Sequence, residues 1–527
     1  MSRDFHLPGR SPVIAGEGMA ATSHPLATLA ALDVLRAGGN AVDSAVTAVA
    51  VLCVIEPHMT GIGGDCFVLI AEDGKPVWSY NGCGRSGAKA STEALLAKGM
   101  RIIEPTSPHA VTVPGAIEAW SAILEQQGTW PLDRVLAPAI KYAEHGFPVA
   151  PRIASDWKGL VAKLGNSAGA SRHYLFNGRA PEECDVVKLP ALAATLKAIA
   201  TDGPRAFYQG PIAEDMAKTL AAAGSVLTAD DFARHRGEVV TPISTSYRGI
   251  DLVEIPPNTQ GLTALVTMNI LENFDMARLE PLGPDRFHLM LEAARMGFAM
   301  RDTHIADPVH MRVPVAALND KTFAKTLAAK LDPAKRVPLP ATPTPGSDTV
   351  YLTVVDRDRR AVSLINSLYS AFGSAICTEK TGVMFNNRGS GFVLDPGHPN
   401  ALGPNKRPMH TIIPALAMRD GRCDTTFGVM GAHYQPMGHV QMVLNLFDYG
   451  MDVQNAIDAP RAFFNGDSTV VERGVPAATV EGLKARGHQI VTAPTPWGGA
   501  QAIRIDWKRG VLIGGSEPRK DGCALGY

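Results

Sequence analysis

Layered α/β architecture with antiparallel pairing is what this sequence predicts, and three observations carry the prediction. Helix-length and strand-length apolar patterns both run through the chain, without the strand–helix–strand rhythm of a parallel sheet. The first part is rich in helical patterns, whereas short β-rich runs dominate after residue 349. No internal repeat of solenoid period is present.

The elements follow in chain order. Residues 24–36 carry Leu26, Leu29, Leu32 and Leu35 at helical spacing; Gly38 and Gly39 stop that helix, and Asn40 can cap the next. Residues 41–55 are apolar almost all round, which predicts a buried helix ended by Pro57. The stretch "TGIGGDCFVLI" sets Gly61, Gly63 and Gly64 before an apolar run and reads as a turn feeding a buried strand. A dinucleotide loop needs strand, glycines, then helix, and the order here is the reverse. Helices are expected over 115–126, 132–145, 189–201, 212–222, 261–276 and 285–301, with a strand near 250–255. A proline-rich linker covers 337–345. Beyond it, strands are expected at 350–355, 361–368, 382–385 and 415–418, one helix at 438–449, and a closing hairpin from 502–507 and 511–513.

Composition narrows the function classes. The 527 residues are 46% hydrophobic and 19% charged, with a net charge of −1 and no charge blocks. That gives no electrostatic footprint for nucleic acid or an anionic membrane. Seven cysteines without a CxxC pair argue against a disulfide framework or a zinc site and read as buried free thiols. The N-terminal stretch lacks the apolar core of a signal peptide, and the longest apolar run, 45–55, is short of the roughly 20 residues that span a bilayer. A soluble, cytoplasmic protein is expected.

The chemistry centres on Thr349, where the linker "PLPATPTPGSD" runs straight into the strand "TVYLTVVD". Alternation puts Thr349, Tyr351 and Thr353 on one face and Val350, Leu352 and Val354 on the other. With a three-residue loop centred on Asp358, Ser367 falls opposite Thr349. A threonine hydroxyl alone is a poor nucleophile. A free α-amine on the same residue, which ordinarily titrates at about 7.7–8.0, can take its proton. That amine exists only after the Asp348–Thr349 bond breaks. A linker that delivers a scissile bond and then withdraws accounts for the proline-rich segment.

These motifs, with "HPLATLAALDVLRAGGNAVDSAV", "EPHMTGIGGDCF", "TVPGAIEAW", "PPNTQGL", "GPNKRPMHTIIPA" and "GGSEPRKDG", resemble the γ-glutamyltransferase (γ-glutamyltranspeptidase) family of N-terminal-nucleophile hydrolases over nearly the whole chain. The resemblance implies an α+β fold, a four-layer αββα sandwich. It also implies self-cleavage into a large segment, 1–348, ending in the linker 337–348, and a small catalytic segment, 349–527, that stay together. Whether two such heterodimers pair is left open. By the same resemblance Thr349 is the nucleophile, Ser367 its hydrogen-bond partner, and Gly431-Ala432 the backbone oxyanion hole. Backbone N–H groups suffice there, so Ala432 is tolerable provided its φ is negative. No metal or organic cofactor is implied.

The resemblance breaks at the acyl pocket. The family's carboxylate-binding arginine aligns with Thr92 and its amine-binding aspartate with Gly391; a serine pair becomes His410-Thr411, and an asparagine becomes Tyr369. Arg388, in "NNRGSGF", is a new candidate for gripping a carboxylate. Arg388, His410, Thr411 and Tyr369 are the expected acyl-group residues, while His433 and Gln435 are expected to brace the oxyanion turn or the helix start rather than touch substrate. The pattern looks like the branch holding oxamate amidohydrolase and acylase-like members, acting on a small amide. The alternatives are a true glutathione hydrolase with a rearranged pocket and an unprocessed homologue acting as a scaffold.

Overall fold

Two seven-stranded antiparallel sheets stack face to face, each covered on its outer face by helices, in a computed structural model that describes residues 9–339 and 348–527. One sheet runs, edge to edge, Val13–Ala15, Val511–Ser516, Gly499–Asp506, Arg422–Met430, Ala415–Arg419, Ile250–Glu254, Ile243–Tyr247. The other runs Cys523–Gly526, Met19–Thr22, Val350–Val355, Ala361–Ser367, Asp65–Ala71, Trp78–Gly82, Glu238–Val239.

The side-chain period of two divides the cores. In the strand Val350–Val355, Val350, Leu352 and Val354 join the helix-side core with Val42, Val46 and Val49. That core contains the helix Ala41–Ile55, which is buried all round as its composition predicts and carries a capping box from Asn40 and Asp43. Tyr351 and Thr353 face the other sheet, where Thr353 Oγ1 meets Thr426 Oγ1 at 2.9 Å. The sheet that contains Arg422–Met430 packs Leu252, Ala415, Phe427 and Val429 on the helices Gly261–Leu271, Pro284–His304 and Gln435–Val443. The result is the expected αββα sandwich.

Most predicted elements form within a residue or two of the expected ends, and the differences have local causes. Residues 382–385 make no strand. Phe385 N–H donates to Ile376 O and Asn386 N–H to Gly63 O, so the segment packs on a loop, with one isolated bridge between Met384 and Cys377. The helix expected over 261–276 stops at Leu271. The helix expected at 438–449 starts earlier, at Gln435, and its end is π-helical over Leu444–Asp448. The strand Arg422–Met430 was not expected. Its Gly428 is required because a Cβ there would lie 2.3 Å from the Tyr351 ring of the facing sheet. Gly63 and Gly64 serve the same purpose, with Met384 O and Ser367 O where their side chains would be. All seven cysteines are unpaired, but Cys184 is exposed and Cys523 half-buried, so only five are the buried thiols expected. Among the described residues no helix is long and apolar enough to cross a membrane. Linker residues 340–347 lie outside the described residues.

Both sheets interleave strands from either side of residue 348. Val350–Val355 pairs with Met19–Thr22, Ala361–Ser367 with Asp65–Ala71, and Ala415–Arg419 with Ile250–Glu254. If the chain is cut at Asp348–Thr349, the pieces should therefore co-elute in native size-exclusion chromatography and separate only in denaturant. Two native peaks would contradict this interleaved core.

Candidate active site

The hairpin that carries Thr349 has the expected register. Val350 pairs with Asn366 and Val355 with Ala361, centring the turn on Asp358. Thr349 Oγ1 consequently lies 3.0 Å from Ser367 Oγ. Ser367 Oγ also accepts the Tyr369 N–H at 2.8 Å, which fixes the hydroxyl facing Thr349. Thr349 is 1% exposed, so the uncut chain shields the nucleophile from bulk water. Its φ is 111°, a left-handed value that a β-branched residue rarely adopts. Such strain costs on the order of 1–3 kcal/mol and persists only where the surroundings enforce it.

Gly431 and Ala432 form the turn between the strand Arg422–Met430 and the helix Gln435–Val443. N–H groups at such a helix entry have no intrahelical acceptor. Gly431 has φ 127° and Ala432 φ 48°, so the negative φ expected for Ala432 is not found. The left-handed alanine is fixed by its neighbours: Gln260 Nε2 donates to Ala432 O at 2.9 Å and to Thr411 O at 2.6 Å. Arg301 Nη1 donates to Gln260 Oε1 and to His433 Nδ1. His433 Nε2 then reaches the Tyr369 hydroxyl at 3.3 Å. Gln435 Oε1 accepts the Ile413 N–H. His433 and Gln435 brace this region as expected, while Gln260 and Arg301 do so without any expectation from sequence. A polar glutamine at a helix start in "PPNTQGL" was the one available signal.

Arg388 is fully buried at the start of a short 3-10 turn, Arg388–Gly391. Its Nη1 donates to Thr411 Oγ1 at 2.7 Å, and the guanidinium lies 4.1 Å from the centre of the Tyr369 ring. Nε and Nη2 have no partner among the described residues, nor does the Nδ2 of the adjacent Asn387. Burial lowers the Arg388 pKa from its usual value, with Asp65 and Tyr369 opposing. Three unanswered donors in an interior need an acceptor, because a buried polar group without one loses its full hydration.

His410 was expected in the acyl pocket, but both ring nitrogens are engaged. Nε2 pairs with Asp65 Oδ2 at 3.0 Å and Nδ1 accepts the Ile412 N–H. Burial, then the Arg388 charge, holds the imidazole well below its ordinary pKa, so it is neutral and donates from Nε2. Asp65, raised to about 6 by burial, also accepts the Gly84 N–H. Asp65, Cys83 and His410 place donor atoms within 4.8 Å of one another, yet Cys83 Sγ–H goes to Gly84 O and the other two bond to each other. His410 is thus tied to Asp65 and to the backbone just past Thr411. Thr92 donates to Leu402 O, and a Cβ on Gly391 would lie 3.1 Å from Met409 O, so neither position offers a charge.

Tyr369 joins these parts: its N–H holds Ser367, its ring covers Arg388, and its hydroxyl meets the residue after Ala432. With this geometry in hand, likeness to known proteins is decisive. The family model described as Gamma-glutamyltranspeptidase matches residues 27–527. The chain belongs to that family. It is 38% identical to the glutathione hydrolase-like YwrD proenzyme of Bacillus subtilis, over 98% of this chain and 99% of that one. It is 35% identical to the oxamate amidohydrolase proenzyme of Klebsiella pneumoniae, with the same coverage. The crystal structure of cephalosporin acylase from Bacillus halodurans superposes with a TM-score of 0.93 at 38% identity, covering 100% of this chain and 99% of that one. As a member of the γ-glutamyltranspeptidase family, the chain is an amide-bond hydrolase acting through an N-terminal nucleophile on the N-terminal-nucleophile hydrolase fold.

Proposed function

We propose that the chain cuts itself between Asp348 and Thr349 and that the freed Thr349 hydrolyses small amides whose acyl group carries a carboxylate. The observation that carries this reading is Arg388, a fully buried guanidinium with two unanswered donors beside the Thr349–Ser367 pair's loop. A planar fork of this kind suits a carboxylate bidentately.

In self-cleavage the Thr349 Oγ attacks the Asp348 carbonyl carbon. The Oγ–C bond forms, the C–N bond breaks, and the hydroxyl proton passes to the leaving nitrogen. Water then adds to the ester carbonyl, releasing Asp348 as a carboxylate and returning a proton to Oγ. Scission also abolishes the peptide that defines φ at Thr349, so the strain there is relieved as the bond breaks. In turnover, the α-amine takes the Thr349 proton, Oγ attacks the substrate carbonyl, and the N–H groups of Gly431 and Ala432 receive the oxyanion; at φ 48° Ala432 keeps its N–H as a donor and bears backbone strain instead. The amine returns the proton to the leaving amine or ammonia, and water hydrolyses the acyl ester. Ser367 orients Oγ, and Thr411 and Tyr369 fix Arg388. The seven unpaired cysteines support the expected cytoplasmic home.

A panel of oxamate, a γ-glutamyl anilide, glutathione, a dicarboxylic acyl β-lactam and a neutral acyl amide tests the reading. Carboxylate-bearing acyl groups should give the highest kcat/KM. Preference for the neutral amide would overturn it, and preference for γ-glutamyl compounds over oxamate would favour the glutathione-hydrolase alternative.

A further inference from the structure

The Tyr369 hydroxyl has its polarity fixed from a distant helix. Arg301, 3% exposed in the last turn of the helix Pro284–His304, is held by Gln260 Oε1 on Nη1 and by Asp302 Oδ1 on Nε, each at 2.7 Å. A guanidinium carries donors and no acceptor. Its Nη1, 2.9 Å from His433 Nδ1, therefore donates to that nitrogen. Burial first, then the Arg301 and Arg388 charges, holds His433 well below its ordinary pKa, so the ring is neutral. With Nδ1 accepting, its one proton sits on Nε2, which faces the Tyr369 hydroxyl at 3.3 Å. Nε2–H donates to the phenol oxygen, and the phenol proton has to point elsewhere. Among the described residues nothing accepts it. Burial raises the Tyr369 pKa against the pull of Arg388 and Arg301, so the hydroxyl keeps that proton. The residue is half-buried, which leaves an accessible side for it to face.

The neighbours repeat this polarity. The Tyr369 ring lies 4.1 Å from the Arg388 guanidinium, whose Nε and Nη2 are unanswered. Asn387 Oδ1 is taken by the Ser370 N–H at 3.0 Å, while its Nδ2 is unanswered. The carboxylate of Asp65 is occupied by His410 Nε2 and the Gly84 N–H. The groups left unanswered on Tyr369, Asn387 and Arg388 are thus donors without exception. An acyl group with carboxylate or carbonyl oxygens satisfies them. An ammonium in the same place finds no acceptor there and meets the charge of Arg388.

Resting on the reading that the acyl group carries a carboxylate, we infer that Arg301 and His433 are positioning residues that make the Tyr369 hydroxyl a dedicated donor, and that this donor, with Arg388, selects acyl groups bearing acceptors and no α-ammonium. Arg301 and His433 exchange no bond or proton with substrate and act through Tyr369. The substrate class narrows to amides of dicarboxylic or oxo acids, as opposed to amino diacids.

A matched set of anilides tests this: glutaryl, γ-glutamyl, which adds an α-ammonium, and butyryl, which lacks the carboxylate. Rates are normalised to the cleaved fraction on a denaturing gel. Wild type should favour glutaryl over γ-glutamyl in kcat/KM by roughly tenfold or more, the scale of a hydrogen bond to a charged group. Tyr369→Phe keeps the ring over Arg388 and the N–H on Ser367 but loses the donor. Its glutaryl-to-butyryl ratio of kcat/KM should fall by roughly tenfold, mainly through KM for the glutaryl anilide. His433→Leu should lower the same ratio, and adding it to Tyr369→Phe should lower it no further. His433→Gln, whose amide both accepts from Arg301 and donates to Tyr369, should restore most of it. A wild-type ratio in Tyr369→Phe, full additivity in the double variant, or a wild type that prefers γ-glutamyl overturns the inference. The last result does so even if the variants fail to fold. A wild type that hydrolyses butyryl as efficiently as glutaryl would instead remove the carboxylate reading beneath it.

Discussion

Thr349→Ala leaves the chain in one piece, whereas the wild type runs as two fragments on a denaturing gel, the smaller beginning at Thr349 by N-terminal sequencing. This is the largest effect expected, because one residue supplies the attacking hydroxyl in self-cleavage and both nucleophile and base in turnover. Removing a nucleophile from a working hydrolase site lowers kcat on the order of 10⁶-fold. The fold should survive the change. Thr349 lies at the mouth of a strand whose interior pairing, Val350 to Asn366 through Val355 to Ala361, is untouched, and what is lost is one 3.0 Å contact with Ser367. An alanine variant that is cut at wild-type rate would remove Thr349 from the mechanism. A wild type that stays intact and inactive would favour a scaffold role for this chain.

Arg388→Lys should be cut normally and yet lose kcat/KM for amides whose acyl group bears a carboxylate. Lysine keeps a charge but not the planar fork, and it cannot both hold Thr411 Oγ1 and present two parallel N–H groups. Losing one partner of a buried charge pair costs about 2–5 kcal/mol, which corresponds to roughly 30-fold or more in rate. A neutral acyl amide should be affected much less, and that contrast separates loss of recognition from general damage. Equal efficiency of the variant on every substrate would mean that Arg388 is structural, and the acyl specificity would then have to come from Thr411 and Tyr369.

What could be read from the sequence follows a physical divide. The helix Ala41–Ile55 and the strand Val350–Val355 were legible because uniform apolarity and two-residue alternation are local properties. Ser367 was legible for a related reason. In a hairpin the turn centre fixes every cross-strand pair, and Asp358 marked that centre. The support of the site was not legible in this way. Gln260, Arg301 and Asp65 reach it from elements far away in sequence, and no periodicity announces which distant carbonyl or imidazole a side chain meets. His410 shows the same limit from the other side. Its neighbourhood in sequence suggested the pocket, but a carboxylate 345 positions away takes its free nitrogen. Ala432 takes a positive φ in a turn whose carbonyl Gln260 holds from a distant helix, and Gly428 is a glycine because a tyrosine ring from the facing sheet occupies its side-chain space.

The central claim is that the amide's acyl group passes through Thr349. Intact-mass spectrometry of the mature wild-type protein, acid-quenched during turnover of a carboxylate-bearing amide, tests it most directly. The account predicts that the small fragment gains the mass of the acyl group and that peptide sequencing places it on Thr349. An acyl group carried by any other residue, or on an uncut chain, would contradict it.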